Sequence, residues 1–297
     1  MTVPPPVPEL FGKPRRLPSE PVERLARLAW ERAPNLCAPA RGCANYHRVW
    51  GALRALDLGG VAPAGEGLYR YGLAPLREQA GSRVLISGGA DAGLLALATE
   101  CFAGAGQRPT FVFADICATP CALAREYATH AGLDLEIVQG DIRTIETAPV
   151  HAILAHSFLQ FVGAEGWGAM AANWVRLLAP GGRIILTNKL NREPAERRAP
   201  GDPARREARA RRLAPLARDL LGLDDEGEEA FVAAASNYAI TAPGPRASEA
   251  GVRSLLSSLG LSVELVAYDV QHRAPGPTTA REPSIDPLRA GIIARKP

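Results

Sequence analysis

Apolar runs alternate with helix-like stretches through the middle of the chain. From Arg83 onward, the strand-like segments are RVLIS, TFVFAD, LEIVQG, HAILAHS and RIILTNKL, and the segments between them repeat apolar residues every three or four positions. Alternation of this kind is typical of βαβ units, in which neighbouring strands run parallel and helices cover the sheet. The pattern therefore predicts an α/β fold with a mostly parallel sheet and helices on both faces.

The two ends of the chain and one internal stretch depart from this alternation. Residues 1–18 are rich in proline and predict an extended arm, whereas residues 19–80 contain amphipathic helices and predict an N-terminal helical cover. Residues 191–246 hold an arginine-rich helix followed by an acidic helix, before one more helix and two strands. We therefore expect one sheet domain, formed by residues 81–190 and 247–297, with 191–246 as a helical insertion or lid.

Composition and charge narrow the choice of partners only slightly. The 297 residues have a net charge of +3, and 47% of them are hydrophobic. A nearly balanced charge does not support a nucleic-acid partner, and no run of about 18 apolar residues predicts a membrane span. Because the start of the chain also has no apolar leader segment, we expect a cytoplasmic protein. The oligomeric state stays open, with a homodimer as one alternative.

The five cysteines are spread over the chain without a CxxC pair. This arrangement predicts reduced thiols rather than a disulfide framework or a zinc ribbon. Cys37, Cys43 and His47 offer three metal ligands, but their spacing fits no common zinc pattern, and the sequence does not reveal a fourth ligand. We therefore expect no metal site.

The segment VLISGGADAGLL places small residues between a buried strand and a helix. Such a turn lets the backbone approach a ligand closely and directs helix N-terminal amides toward it. The same kind of turn occurs in other nucleotide-binding proteins and in tight connections that bind nothing. Gly88, Gly89 and Ala90 are therefore candidate ligand-binding residues.

The order of these and later features resembles the class I methyltransferases, which are Rossmann-like and bind S-adenosylmethionine. In the segment above, Gly88 matches the first glycine of the family's first motif, whereas Ala90 and Ala92 replace the second and third glycines, and Ile86 stands where an acid is usual. LLAPGGRIILTN resembles the Pro-Gly-Gly turn and fifth strand of the family. The resemblance implies a seven-stranded sheet with an antiparallel last strand, and S-adenosylmethionine as the cofactor.

Further cofactor-binding residues follow from the resemblance. Asp115, at the end of TFVFAD, would bind both ribose hydroxyls, because a carboxylate only accepts hydrogen bonds and can take two at once; Ile116 follows it. Asp141 would accept a hydrogen bond from the adenine amino group, while Ile142 would cover the adenine ring. His156, at the end of HAILAHS, would lie beside the methionine portion of the cofactor.

Candidate residues on the acceptor side come from the segments around the expected cleft. Tyr71 precedes the first strand and is a candidate for the cofactor carboxylate. His47 and His156 are candidate catalytic residues, since imidazole titrates near neutral pH; a structural role for His47 is the alternative. Aromatic residues that can stack on a substrate, or pack in the core, are Tyr46, Trp50 and Tyr238.

Three functions are compatible with these features. The first is transfer of a methyl group from S-adenosylmethionine to an oxygen or nitrogen of a small-molecule metabolite, since the helical cover and the insertion could enclose such a substrate. The second is a non-catalytic S-adenosylmethionine-binding scaffold, suggested by the altered glycine motif. The third is a nicotinamide-dependent oxidoreductase, which Asp141 and the Pro-Gly-Gly turn disfavour.

Overall fold

The computed structural model describes residues 7–12, 16–58, 65–190, 202–237, 247–269 and 288–297. In these ranges seven strands form one sheet in the order β3-β2-β1-β4-β5-β7-β6. The strands are β1 (Arg83–Ser87), β2 (Thr110–Asp115), β3 (Leu135–Gln139), β4 (Val150–His156), β5 (Leu178–Leu190), β6 (Ser262–Asp269) and β7 (Leu288–Arg295). Strands β1 to β5 are parallel, and β7 lies antiparallel between β5 and β6. The expected seven-stranded Rossmann-like fold is therefore confirmed.

Eleven α-helices lie within the described ranges. They are α1 (Val7–Leu10), α2 (Val22–Leu36), α3 (Ala44–Ala55), α4 (Glu66–Leu73), α5 (Gly93–Cys101), α6 (Ala118–Ala131), α7 (Leu159–Val162), α8 (Trp167–Leu177), α9 (Pro203–Leu221), α10 (Asp225–Ser236) and α11 (Glu249–Ser258). In the same ranges, no helix combines the length and apolar character that crossing a membrane requires.

The sheet separates two hydrophobic cores. Successive side chains of a strand point to opposite faces, so Val84 and Ile86 of β1 join the core beneath α4, α5 and α6, whereas Leu85 joins the core beneath α8 and α11. A strand buried on both faces has no polar side to mark it. This explains why the central strands appear in the sequence as continuous apolar runs rather than alternating ones.

Parallel pairing brings the carboxyl ends of β1, β2 and β4 to the same edge of the sheet. β2 and β4 lie on opposite sides of β1, so the chain reverses direction across the sheet at this point. Open α/β sheets bind their ligands outside the carboxyl ends of strands at such a switch point. Ser87, Asp115 and His156 end these three strands, and the fold therefore brings these strand ends together at this edge.

The insertion packs on the N-terminal helices. Helices α9 and α10 pack against each other and against α2 and α3. Alanines of α9 and the ring of Phe231 form one apolar cluster with α2, where the centroids of Phe231 and Trp30 are 5.8 Å apart. The described part of the insertion is therefore continuous with the cover, and its role as a lid stays a prediction.

The described part of the first eighteen residues, 7–12 and 16–18, contains a turn of helix where proline content predicts an extended arm. Val7–Leu10 form one turn of helix, and the side chains of Leu10, Phe11 and Leu17 are buried. The ring of Phe11 approaches the backbone of Gly291 in β7, so these apolar side chains anchor the described part of the arm to the sheet domain.

Tyr238 and residues 191–201 lie outside the described residues.

Candidate cofactor and active site

Gly88 begins the turn that follows β1, and only glycine fits there. Its φ is +72°, in the left-handed region that side chains disfavour, and its amide donates to the carbonyl of Ala114 over 2.8 Å. A Cβ at Gly88 would stand 2.1 Å from the ring of Phe158. The backbone at Gly88 is thus held against the next strand with no side chain in between, as close approach to a ligand requires.

Asp115 ties this turn to the turn that follows β2. One carboxylate oxygen accepts from the amide of Gly89 (3.0 Å) and the other from the amide of Cys117 (2.7 Å). Burial raises the pKa of Asp115, and the two amide hydrogen bonds oppose that rise. Each carboxylate oxygen keeps a second acceptor position. Ile116, the next residue, is one of the few large apolar side chains exposed in the described chain.

Asp141 and Ile142 lie in the turn after β3. The carboxylate of Asp141 accepts from the amide and guanidinium of Arg143, with one ion-pair contact of 2.5 Å. The hydrogen bond from Arg143 lowers the pKa of Asp141, which keeps the carboxylate ionised. The side chain of Ile142 is buried in the core beneath α8, where Asn173 donates to its carbonyl over 2.8 Å.

His156 belongs to a chain of hydrogen bonds at the ends of β4 and β5. Tyr69 donates to the carbonyl of Ala155 (3.0 Å), so its oxygen is left to accept from Thr187 (2.9 Å), which in turn accepts from Nδ1 of His156 (2.6 Å). This sequence of donors places the imidazole proton on Nδ1 and leaves Nε2 unprotonated, 3.3 Å from the hydroxyl of Ser157.

The imidazole of His156 stays neutral. Burial and the positive charge of Arg289 lower its pKa to about 3. An imidazole with so low a pKa is a poor general base toward a substrate at neutral pH. The geometry therefore suits His156 to accepting a hydrogen bond at Nε2 better than to abstracting a proton.

A buried ionic network anchors the cover to the glycine-rich turn. Arg54 of α3 contacts Glu20 (2.6 Å) and Asp91 (3.0 Å), and Trp50 donates its indole N–H to Asp91 (2.7 Å). Asp91 also accepts from the amide of Gly93 at the start of α5. Glu20, Arg54 and Asp91 were not predicted from the sequence, because charged residues at unrelated positions carry no spacing signal. The one sequence clue to this ionic network was Asp91, the charged residue in the ADAG stretch.

Aromatic rings of α3 and α7 lie beside the turn. Tyr46 stacks on Trp50 with centroids 6.0 Å apart and lies 5.9 Å from Phe161, whose ring is exposed. Together with Phe158 on Gly88, these side chains border the carboxyl ends of β1 and β4. Tyr46 and Trp50 were candidates from the sequence, whereas Phe158 and Phe161 were not singled out.

His47 is buried and faces sulfur atoms rather than an open cleft. Its Nδ1 lies 3.1 Å from the carbonyl of Ala90, and its ring contacts Cys117. Burial alone would lower the pKa of His47, but the contacts with Cys117 and Ala90 outweigh it and raise the pKa. Burial raises the pKa of Cys117, yet the contact with His47 brings it down to about 7. These surroundings do not favour the general-base role expected for His47.

Tyr71 is the remaining aromatic candidate near the first strand. It lies on α4 and packs against the hydrophobic core beneath α4, α5 and α6. Its neighbour on the same helix, Tyr69, makes the contacts at the strand ends instead. A role for Tyr71 with the cofactor carboxylate stays a prediction.

The chain is similar to known methyltransferases in one sequence segment and in its fold. A family profile described as a methyltransferase domain matches residues 91–182. No curated protein matches the chain in sequence. Among solved structures, a protein of Galdieria sulphuraria assigned as a sarcosine dimethylglycine methyltransferase is 14% identical, with a TM-score of 0.50 over 82% of this chain and 90% of its own.

A second structure of similar fold is the magnesium protoporphyrin IX methyltransferase of Synechocystis PCC 6803 with bound S-adenosylhomocysteine. It is 13% identical, with a TM-score of 0.50 over 86% of this chain and 94% of its own. At this level of identity both structures establish the fold alone.

The strand order is that of the class I, Rossmann-like methyltransferase fold, and residues 91–182 match a methyltransferase domain. The cofactor of such a domain is S-adenosylmethionine. The side chains at the site fit that cofactor, because the turn at Gly88 excludes a side chain, Asp115 keeps acceptor capacity, and the apolar side chain of Ile116 is exposed beside it.

Proposed function

We propose that this methyltransferase transfers the methyl group to an oxygen or nitrogen of a small molecule. The observation that supports the proposal is the aromatic border formed by Tyr46, Trp50 and Phe161, which lies beside the glycine-rich turn. A border of rings with partly exposed faces can stack on a small planar or apolar acceptor and shield it from water. Tyr238, which lies outside the described residues, stays a substrate candidate on its sequence alone.

The cofactor-binding roles are proposed residue by residue. Asp115 would hold the ribose hydroxyls, and Ile116 would lie along the adenosine. Asp141, ionised beside Arg143, would accept from the adenine amino group, with Ile142 supporting that turn from the core. The backbone of Gly88, Gly89 and Ala90 would approach the rest of the cofactor. His156 would accept a hydrogen bond at Nε2, and Tyr71 remains a candidate for the carboxylate.

When bound, the cofactor supplies a methyl group already activated on a sulfonium. The protein has to align the acceptor with the carbon–sulfur bond and exclude water. The cofactor would supply that methyl group to a lone pair of the acceptor and would leave as S-adenosylhomocysteine; an amine acceptor would then lose a proton to water, whereas an ionised hydroxyl would have none to lose. His156 is too weak a base to take a proton from a neutral hydroxyl. We therefore expect an acceptor that needs no base before the transfer, either an amine or an ionised hydroxyl.

The test is incubation of the purified chain with a metabolite extract and S-adenosylmethionine that carries a deuterated methyl group. We expect the label in the small-molecule fraction by mass spectrometry. The Asp115→Asn variant should lose most of the signal, since an amide cannot accept both ribose hydroxyls. Asp134→Asn is the matched control, because Asp134 is exposed and bonded to Thr110 at the opposite end of β2. Label found only in RNA or protein would contradict the proposal.

A further inference from the structure

Three cysteines and one histidine meet at the junction between the cover and the sheet domain. Cys37 follows the last residue of α2, Cys43 precedes α3, His47 lies in the first turn of α3, and Cys117 precedes α6. One ligand atom from each lies within 4.8 Å of the other three. We propose that these four residues bind a structural zinc ion.

The distances between the sulfur atoms suit a tetrahedral zinc site. Cys117 Sγ lies 3.5 Å from Cys37 Sγ and 3.7 Å from Cys43 Sγ. Thiolates about 2.3 Å from a zinc ion stand about 3.8 Å apart in a tetrahedron. A disulfide would instead require about 2.05 Å, and three cysteines cannot all pair with one another.

The imidazole of His47 is oriented as a ligand. Its Nδ1 lies 3.1 Å from the carbonyl oxygen of Ala90, which can only accept, so Nδ1 carries the proton. Nε2 then keeps its lone pair, and the imidazole ring contacts Cys117. Metal-bound histidines nearly always donate their other ring N–H in this way, which fixes the tautomer and the ring orientation.

The cluster also has partners for its sulfur atoms and shelter from water. Cys37, His47 and Cys117 are each buried, and Cys43 is half-buried. The hydroxyl of Thr119 lies 3.1 Å from Cys37 Sγ and can donate to a thiolate there. Four protein ligands in a closed, buried set are typical of structural zinc rather than of catalytic zinc, which keeps an open position for water.

The position of the cluster shows what the metal would hold together. Its ligands join the loop between α2 and α3 to Cys117, which lies two residues beyond Asp115, and His47 bonds the glycine-rich turn at Ala90. A zinc ion here would clamp the N-terminal cover onto both cofactor-binding turns. Cofactor affinity would then depend on the metal.

The linear sequence does not reveal this metal site. Cys37, Cys43 and His47 have no common zinc spacing, and the fourth ligand comes 74 residues after Cys43. The expectation of no metal rested on the missing fourth ligand. The fold supplies it by placing the N-terminus of α6 beside the start of α3.

The test measures metal content rather than activity. The full chain, produced with zinc and then passed through metal-free buffer, should retain one zinc ion per chain by mass spectrometry of the elements. Cys117→Ser and Cys37→Ser should each lose most of it. Cys101→Ser is the matched control, since Cys101 is a buried cysteine outside the cluster, and it should keep the metal.

Replacement of zinc by cobalt gives a second readout that does not depend on the variants folding. Cobalt added to chelator-treated wild-type chain should produce intense thiolate-to-metal absorption bands and the visible bands of a tetrahedral site. Wild-type chain that retains no zinc and gives no such bands would overturn the proposal. Equal zinc in wild type and Cys117→Ser, or a disulfide between Cys37 and Cys117 in protein purified under reducing conditions, would also overturn it.

Discussion

At the scale of single residues, the site depends on groups that hold one another in place. Asp115 bridges two turns through the amides of Gly89 and Cys117, and His156 ends a chain of hydroxyl groups that orients its ring. Each contact fixes a backbone or a tautomer before any ligand arrives. Substitutions here should therefore change ligand binding through geometry as well as through the lost group.

Gly88→Ala tests the close contact at the turn. The substitution adds strain at a positive φ, about 1–2 kcal/mol, and a clash with Phe158 that should cost about 1–3 kcal/mol more. Gly132→Ala is the matched control, because φ is +61° there but nothing lies within 4 Å of the new Cβ. Urea unfolding should show a larger loss for Gly88→Ala. Equal losses would mean that Phe158 does not constrain the turn.

The neutral state of His156 predicts a pH-dependent contribution to stability. Its pKa is lowered in the folded chain, so unfolded chains take up a proton that folded chains do not as the pH falls below about 6.5. The residue therefore costs no stability above that pH and lowers stability progressively below it, by at most about 1.4 kcal/mol per pH unit.

His156→Asn removes this titration while its amide can still donate to Thr187. Urea unfolding of both proteins between about pH 7.5 and about pH 5.5 should show the wild type losing stability relative to the variant, by about 1 kcal/mol or more. Parallel curves for the two proteins would show that His156 titrates normally in the folded chain.

At the scale of elements, the cover is joined to the glycine-rich turn by charge. Arg54→Met should leave Glu20 and Asp91 without their buried cation and cost about 3–5 kcal/mol of unfolding free energy. Arg24→Met, which breaks an exposed pair with Glu126, should cost about 1 kcal/mol or less. The unfolding free energies of the two variants are compared by chemical denaturation. Equal costs would show that Arg54 does not anchor the cover.

The sequence predicts elements better than contacts between distant elements. The apolar runs predicted β1 and β2 at the residues where they occur, because strands buried on both faces need continuous apolar residues. Asp202 and Ser248 are residue types that favour helix N-termini, and each accepts a backbone amide at the start of its helix, α9 or α11. Local preferences of this kind depend on a few neighbouring residues, so they can be predicted from the sequence.

The parts that were missed all depend on the fold. The ion pairs of Arg54 span 34 and 37 residues, and the approach of Cys117 to Cys43 spans 74. The turn at Val7–Leu10 forms because Leu10 and Phe11 find an apolar surface, which proline content does not reveal. Phe158 precedes the short helix α7 and Phe161 lies within it, and both follow directly from the end of β4. In each case tertiary packing decides the role of the residue.

At the scale of the whole molecule, two parts of the chain meet at one edge of the sheet, and a third packs behind them. The sheet domain supplies the turns at Gly88 and Asp115, and the cover supplies the aromatic rings and the buried ionic network. The described insertion packs behind the cover through Phe231 rather than on the sheet. The cover is thus supported from both sides, which suits a rigid border around a small acceptor better than an open face for a large one.

The most direct test of this account is a crystal structure of the chain with S-adenosylhomocysteine. The account predicts that both ribose hydroxyls bond to Asp115, that the adenine amino group reaches Asp141, and that the space beyond the sulfur is bordered by Tyr46, Trp50 and Phe161. A ribose bound away from Asp115, or a sulfur that faces open solvent away from those rings, would contradict it.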